Sequence, residues 1–389
     1  MTAILTTSPL SAALVHGILE LEPTERGVRP HRLPRWVRHQ FPDPQLDVNE
    51  VQPAGGRIIV TTSATQIELV THPRFFTYQG VERPRGVLDV YVDDVLVQRE
   101  ALRGGDNVET NLQTGQSEFI PGSDYVLSVD GLGRGRKRIE IWLPHNEPLE
   151  LIELRSDAPV ASDGRTRPIW IHHGSSISQG SNATDPSETW VSIVARRMGL
   201  DFTNLGFGGS SFVDQFIART IRDLEADVIS LSFGINVVNL DGMKRRVFVP
   251  AVHGFIDTIR DGHPETPIVL SSPLYCGIHE DTPGPGAFDP ETFVTGRQRF
   301  IATGTPGDTA NGRLTLQTVR EALRDVVAHR TGDENLHYIE GTDLYGEMDA
   351  EALPLTDNLH PSPEAHRLIA ERVVERMTGL EPATLTLAR

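Results

Sequence analysis

Cysteine is all but missing. Cys276 is the single one in 389 residues, so no disulfide can close within the chain and nothing points to an oxidising compartment. Lysine is nearly as scarce, Lys137 and Lys244 standing against many arginines, a bias that reflects a GC-rich genome and bears on no mechanism. No run of some 18 uninterrupted apolar residues occurs, so no membrane-spanning helix is expected. The first 19 residues lack a basic segment and are followed by Glu20, Glu22 and Glu25, which argues against a secretory signal and for a cytoplasmic protein. Positive charge is also short: the formal net charge is −17, and binders of nucleic acid or anionic membrane need a net basic face.

What is present divides at a polar stretch, Ser156 to Arg167. Ahead of it, Arg57–Thr62, Gln66–Thr71, Val87–Val92 and Arg138–Leu143 alternate apolar and polar residues with Gly and Pro in the gaps, the period of strands. Val92-Asp93-Asp94-Val95 reads as a two-residue hairpin, and Gly131 to Gly135 links a further strand pair. Strands without helices between them predict an antiparallel sandwich or jelly roll over residues 1–165, resembling a carbohydrate-binding module. Two basic segments, Arg26 to Arg38 and Arg134 to Arg138, read as a surface arm and a solvated turn; the sharper alternative is recognition of a phosphorylated ligand such as coenzyme A, although neither has a phosphate-loop glycine pattern.

Over residues 166–389 the period changes. Pro168–His173, Asp201–Leu205, Asp227–Phe233, Pro267–Leu274 and Leu336–Glu340 read as strands, with helices between and after them near 185–199, 213–224, 247–260, 314–329 and 362–377. The first of these helices is expected to open at Asp185-Pro186-Ser187-Glu188, an N-cap, a proline and a capping-box glutamate. Strand alternating with helix predicts a parallel sheet covered on both faces, with ligands at the carboxyl ends of its strands. The fold class is thus α/β, preceded by an all-β domain.

Four places at those strand ends carry chemistry. Ser176 follows the first strand in Gly174-Ser-Ser-Ile-Ser-Gln-Gly180. Asn204-Leu-Gly-Phe-Gly-Gly209-Ser-Ser211 follows the second, Gly234-Ile235-Asn236 the third, and Asp357-Asn-Leu-His360-Pro361 precedes the last helix. Each is weak alone; in order, each at an element boundary, they supply what a serine nucleophile needs, namely a base, an orienting acid and oxyanion donors. His360 would be the general base, Asp357 the group that holds its tautomer, and the backbone N–H groups of Ser176 and Gly209 with the Asn236 amide the oxyanion donors.

With these motifs the chain resembles the GDSL, or SGNH, serine esterases and acyltransferases over about residues 168–380. The first block is similar to that family's Gly-Asp-Ser-Ile-Thr-x-Gly, which implies Ser176 as nucleophile rather than Ser175 or Ser178. The resemblance further implies Gly209 and Asn236 in the oxyanion hole and Asp357 with His360 completing the triad, in a flavodoxin-like sheet. Two positions depart from the pattern: Ser175 stands where the family has aspartate, and Val237 where an aspartate often follows the asparagine. Both bear on subfamily and substrate rather than mechanism. An α/β-hydrolase is disfavoured because Ser178 occupies the second glycine of Gly-x-Ser-x-Gly.

Other readings have less behind them. His172 and His173 as a metal pair would point to opposite faces of a strand; Asp343 could replace Asp357; Cys276 could act with His279, but no cysteine-enzyme motif surrounds it. From Cys276 to Arg313 runs a Gly- and Pro-rich connection, including Asp281-Thr-Pro-Gly-Pro-Gly-Ala-Phe288, either a surface loop or a lid over the acyl or acceptor pocket. The expected activity is acyl transfer through an acyl-Ser176 intermediate with no metal and no cofactor, the partners being a small-molecule acyl donor and a hydroxyl acceptor. The resemblance implies either an acyltransferase of natural-product tailoring, of the tetracycline type, with an acyl coenzyme A as donor substrate, or a carbohydrate O-acetyl esterase; a carbohydrate-binding protein is the third possibility.

Overall fold

The period-two segments become two sheets sharing one core. In the computed structural model, which describes residues 4–79, 83–111, 114–164, 167–295 and 298–378, a first unit comprises the chain up to residue 166 together with Asp185–Ser187. One sheet is built around Arg57–Thr62, Lys137–Trp142 and Val87–Val92, the other around Ile67–Tyr78 and Leu149–Ser156. Ile58, Val60, Leu88, Val90, Ile139 and Ile141 of the first meet Ile67, Leu69, Leu127, Leu151 and Leu154 of the second in a single buried cluster. Every second residue of a strand faces that core, and each such side chain contributes on the order of 1.5–3 kcal/mol by burial. The hairpin at Asp93 and Asp94 has φ of 47° and 67°, the two left-handed positions of a type I′ turn.

Three expectations for this unit are corrected. Gly131–Gly135 does not join a strand pair: Tyr125–Val129 pairs with Ile67–Tyr78, whereas Lys137–Trp142 pairs with Arg57–Thr62 and Val87–Val92, so the glycines carry the chain from one sheet to the other. Among the described residues the pairing is antiparallel with one exception, Arg74–Tyr78 running parallel to Asp106–Thr110. The segment Arg26–Arg38 is no surface arm. Val28–His31 is a strand, and Arg32 is fully buried, its guanidinium donating to the carbonyls of Gln52 and Asn49. Burial pushes that guanidinium down to about 9, against the pull of Glu50.

The second unit is built on five parallel strands: β1 (Ile169–Gly174), β2 (Asp201–Gly206), β3 (Val228–Ser232), β4 (Ile268–Ser271) and β5 (Leu336–Ile339), in the order β2-β1-β3-β4-β5. This is the flavodoxin-like arrangement, whose switch point lies beside β1. The helices are α1 (Ser176–Gln179), α2 (Trp190–Met198), α3 (Gln215–Arg222), α4 (Ile235–Asn239), α5 (Arg245–Arg260), α6 (Leu316–His329) and α7 (Pro363–Thr378), with short turns of helix at Gly341–Leu344 and Glu347–Ala352. Trp190, Ile193, Val194 and Met198 of α2 are buried while Arg197 is exposed.

Helix α2 also starts later than the sequence suggests. Thr189 is its N-cap, accepting the Ser192 N–H, and Gly199 ends it at φ 64°. Asp185-Pro-Ser187 serves the first unit instead. Asp185 pairs with Arg99 at 2.9 Å, and Ser187 donates its hydroxyl to the wholly buried Asp89 at 2.6 Å. A buried carboxylate must be paired or hydrogen-bonded, and that demand outweighs a local capping preference of about 1 kcal/mol.

Candidate active site

The carboxyl end of β1 delivers Ser176 as the first residue of α1, a four-residue helix capped by Ser175 and closed by Gly180 at φ 115°. Being first in a helix leaves the Ser176 N–H without an intrahelical acceptor. Its hydroxyl lies 2.8 Å from His360 Nε2, and His360 Nδ1 lies 2.7 Å from Asp357 Oδ2. The other Asp357 oxygen accepts the backbone N–H groups of Leu359 and His360 at 3.0 and 2.7 Å, so the carboxylate is folded back onto its own loop. Burial raises the Asp357 pKa, but the hydrogen bond and charge of His360 and the two N–H donors outweigh it and hold the carboxyl below its ordinary value. Asp357 is therefore ionised and fixes the proton of His360 on Nδ1, which leaves Nε2 to accept from serine.

Of the remaining expected residues, Gly209 lies in the loop after β2 and Asn236 is tied to that loop. Gly209 turns the chain after β2 at φ 66°, a conformation that costs a side-chain-bearing residue energy. The N–H of its neighbour Gly208 donates to Gln179 Oε1 of α1 at 2.8 Å, and the Ser211 N–H donates to Asn236 Oδ1 at 3.1 Å. With its oxygen held in this way, buried Asn236 keeps its NH2 as the group to offer. Asn204 adds a further tie, donating to the Ser178 carbonyl at 2.8 Å. Gln179 and Asn204 were not picked from the sequence, although both stand inside the quoted motifs; a side-chain-to-backbone bond across two strand ends leaves no periodic signal.

The alternatives find other employment. Asp343 pairs with Arg376 at 3.2 Å. Burial pushes the Cys276 thiol up to about 12, with Glu280 adding to the effect, and its Sγ donates to the Asn358 carbonyl. His279 lies against Asn239 Oδ1 at 2.9 Å and the Thr282 carbonyl. His172 and His173 point to opposite faces of β1, one towards Ser178 and Ser230, the other towards the Leu205 carbonyl, and among the described residues no group of three or more His, Cys, Asp or Glu is placed to hold a metal ion.

Part of the connection after β4 forms a strap against the His360 loop. Gly286–Phe288 and Phe300–Ala302 form an antiparallel hairpin; residues 296–297 between them lie outside the described ones. Phe300 stands edge-on to the His360 ring, centroids 5.9 Å apart, and its backbone N–H donates to the Asp357 carbonyl at 2.8 Å. The Asn358 amide returns a bond to the Phe300 carbonyl at 3.1 Å. One element thus holds the loop that carries both Asp357 and His360.

A serine, a histidine and an aspartate in hydrogen-bond series at the carboxyl ends of a parallel sheet form the arrangement that a serine-nucleophile hydrolase or acyltransferase requires. Residues 173–368 match the GDSL-like lipase/acylhydrolase family, and the chain belongs to that family of esterases and acyltransferases. Among solved structures it is similar to the salicylyl-acyltransferase SsfX3 from a tetracycline biosynthetic pathway, with a TM-score of 0.80 and 28% identity over 99% of both chains. A GDSL-like lipase from Bacteroides ovatus follows at 0.66 and 19%, over 97% of this chain and 98% of that one. The acetyl xylan esterase Est2A from Butyrivibrio proteoclasticus, at 0.54 and 13% over 98% and 100%, shares the fold. A search of the curated proteins found no match. Among the described residues no helix is long and apolar enough to cross a membrane.

Proposed function

We propose that the protein is an O-acyltransferase that takes an acyl group from a coenzyme A thioester and passes it through acyl-Ser176 to a hydroxyl of a small-molecule natural product. Ser176 Oγ attacks the thioester carbonyl as His360 Nε2 takes its proton. The oxyanion is met by the N–H groups of Ser176 and Gly209 and by the Asn236 amide. Collapse expels the thiol, which leaves with the proton from His360. The acceptor hydroxyl then gives its proton to His360 and attacks the ester carbon; the second tetrahedral intermediate returns Ser176, reprotonated by His360. Asp357 stays ionised throughout and stabilises the imidazolium.

The observation that carries this reading is the likeness to an acyltransferase along the whole length of both chains, joined to a Ser176–His360–Asp357 series with hydrogen bonds of 2.8 and 2.7 Å. The second reading, a carbohydrate O-acetyl esterase whose β-sandwich recognises sugar, is supported by the two-unit architecture shared with an acetyl xylan esterase. Intact-protein mass after mixing with a panel of acyl coenzyme A thioesters and p-nitrophenyl esters, alongside Ser176→Ala, separates them. An adduct from a thioester that is absent in the variant and discharged by an added alcohol faster than by water is the expected result. Rapid release of free acid, with sugar acetates preferred, would establish the esterase. An adduct that persists in Ser176→Ala would remove Ser176 from the mechanism.

A further inference from the structure

The mechanism makes no use of the two histidines that precede the nucleophile, yet both are buried in the core of β1, at 1% and 0% exposure. His172 Nδ1 lies 2.7 Å from Ser230 Oγ and its Nε2 lies 2.7 Å from Ser178 Oγ, on α1 two residues beyond the nucleophile. Ser230 already accepts the Trp170 indole N–H at 2.8 Å. His172 thus bridges the two hydroxyls, one ring nitrogen donating and the other accepting. On the other face of the strand, His173 Nδ1–H donates to the Leu205 carbonyl at 2.7 Å, so its Nε2 accepts from the Ser211 hydroxyl at 3.4 Å. The N–H of that same Ser211 holds Asn236 Oδ1. Phe255 stacks on the His173 ring at 5.8 Å and Trp190 meets the His172 ring edge-on at 4.8 Å, which fixes both orientations.

We infer that His172 and His173 are paired positioning residues, His172 holding the nucleophile helix through Ser178 and His173 holding the oxyanion asparagine through Ser211. Alternation along a strand is what allows it: adjacent side chains leave on opposite faces, so one dipeptide reaches both halves of the site. The need for such a tie lies in the shortness of α1. The helix has only four residues, and side-chain ties set its height on the sheet: the His172–Ser178 bond, the Trp190 indole donating to the Ile177 carbonyl, the Asn204 amide donating to the Ser178 carbonyl and the Gly208 N–H donating to Gln179 Oε1. A cavity of about 60 Å³ has Ser175, Ile177, Ser178, Trp190 and His172 among its lining residues. Gly174 lets Ser178 come this close, since a Cβ there would lie 2.3 Å from its hydroxyl.

In the neutral form each histidine donates from one ring nitrogen and accepts at the other. Burial holds them so, pushing His172 down to about 3, with a smaller effect of His173, and His173 down to about 4 against the pull of the Leu205 carbonyl.

The inference rests on Ser176 being the nucleophile, and the test separates the two. Ser176 is labelled with a fluorophosphonate, and the p-nitrophenyl ester burst is followed, in the full chain and in Ser178→Ala, Ser178→Thr, Ser211→Ala and Ser211→Thr, with a thermal melt of each. Ser178→Ala is expected to slow labelling and burst by ~10–100-fold, the scale of a small misplacement of a reacting group, with KM and melting temperature nearly unchanged; Ser178→Thr, which keeps the hydroxyl, restores the rate. Ser211→Ala is expected to lower kcat in the same way and Ser211→Thr to restore it. Wild-type rates in both alanine variants, losses that follow the melting temperature alone, or well-folded threonine variants that stay as slow as the alanines would overturn the positioning role. Labelling that is equal in wild type and Ser176→Ala would instead overturn the nucleophile itself.

Discussion

At the scale of the residue, the site is a set of groups whose protonation is decided by their neighbours. Asp357 is buried, which taken alone would favour the neutral acid, but three donors from a single short loop reverse the balance. Asp357→Asn keeps the shape and loses the tautomer, so kcat for p-nitrophenyl ester turnover is expected to fall by ~10⁴ while the fold is retained. Asn236→Ala removes the amide proposed as an oxyanion donor and is expected to cost ~10²–10³ in kcat with KM little changed. A steady-state comparison checks both, and an Asn236→Ala enzyme within a few-fold of wild type would remove that amide from the oxyanion hole.

The element that matters most beyond the sheet is the strap after β4. Composition alone, rich in Gly and Pro, suggests a loose loop, yet Phe300 is bonded to both Asp357 and Asn358 through its backbone and packs its ring against His360. Asn358 sits at φ 68°, where asparagine is tolerated and most residues are strained. Asn358→Gly keeps that backbone freely accessible but removes the amide that reaches Phe300. Because the loop then relies on fewer ties, kcat is expected to drop by roughly 10-fold or more, since misplacement by 1 Å can cost ~10². The measurement is kcat and KM with one ester; unchanged kcat would mean that the strap does not hold the catalytic loop.

Over the whole molecule, two consequences follow from charge and burial. His172, His173 and His366 are buried and neutral, pushed by burial down to about 3, 4 and 4 from an ordinary 6.5. Between those values and 6.5 the unfolded chain binds protons that the folded one does not, so stability rises with pH, by about 1.4 kcal/mol per pH unit for each such group. Asp357, with a lowered pKa, behaves differently: its contribution is present above its ordinary 3.8 and is lost only below that. Chemical denaturation at fixed temperature is therefore expected to show stability declining from about pH 6.5 downward, well before the carboxylates protonate. A flat profile between pH 6.5 and 4.5 would contradict the neutral buried state. The net charge of −17 also repels an anionic coenzyme A ester at long range, and salt screens that repulsion. Acylation by an acyl coenzyme A is expected to speed up as ionic strength rises from 20 to roughly 150 mM, while a neutral p-nitrophenyl ester stays unaffected.

The sequence by itself determined the alternation of strand and helix after residue 166 and the motif positions at the strand ends, because hydrophobic period and turn residues are local properties. It also determined which side chains had the chemistry to act as nucleophile, base, acid and oxyanion donor. Tertiary structure alone decided how those side chains are held. The bonds from Gln179 to Gly208, from Ser211 to Asn236 and from His172 to Ser178 join different elements, and no periodicity records them. The same holds where local signals misled: Asp185 looked like a helix cap and became the partner of Arg99, and Arg32 looked like a surface arginine and became a buried donor to two carbonyls. In each case the residue itself is buried and required a partner, and that requirement is set by the folded neighbourhood rather than by the residues next in line.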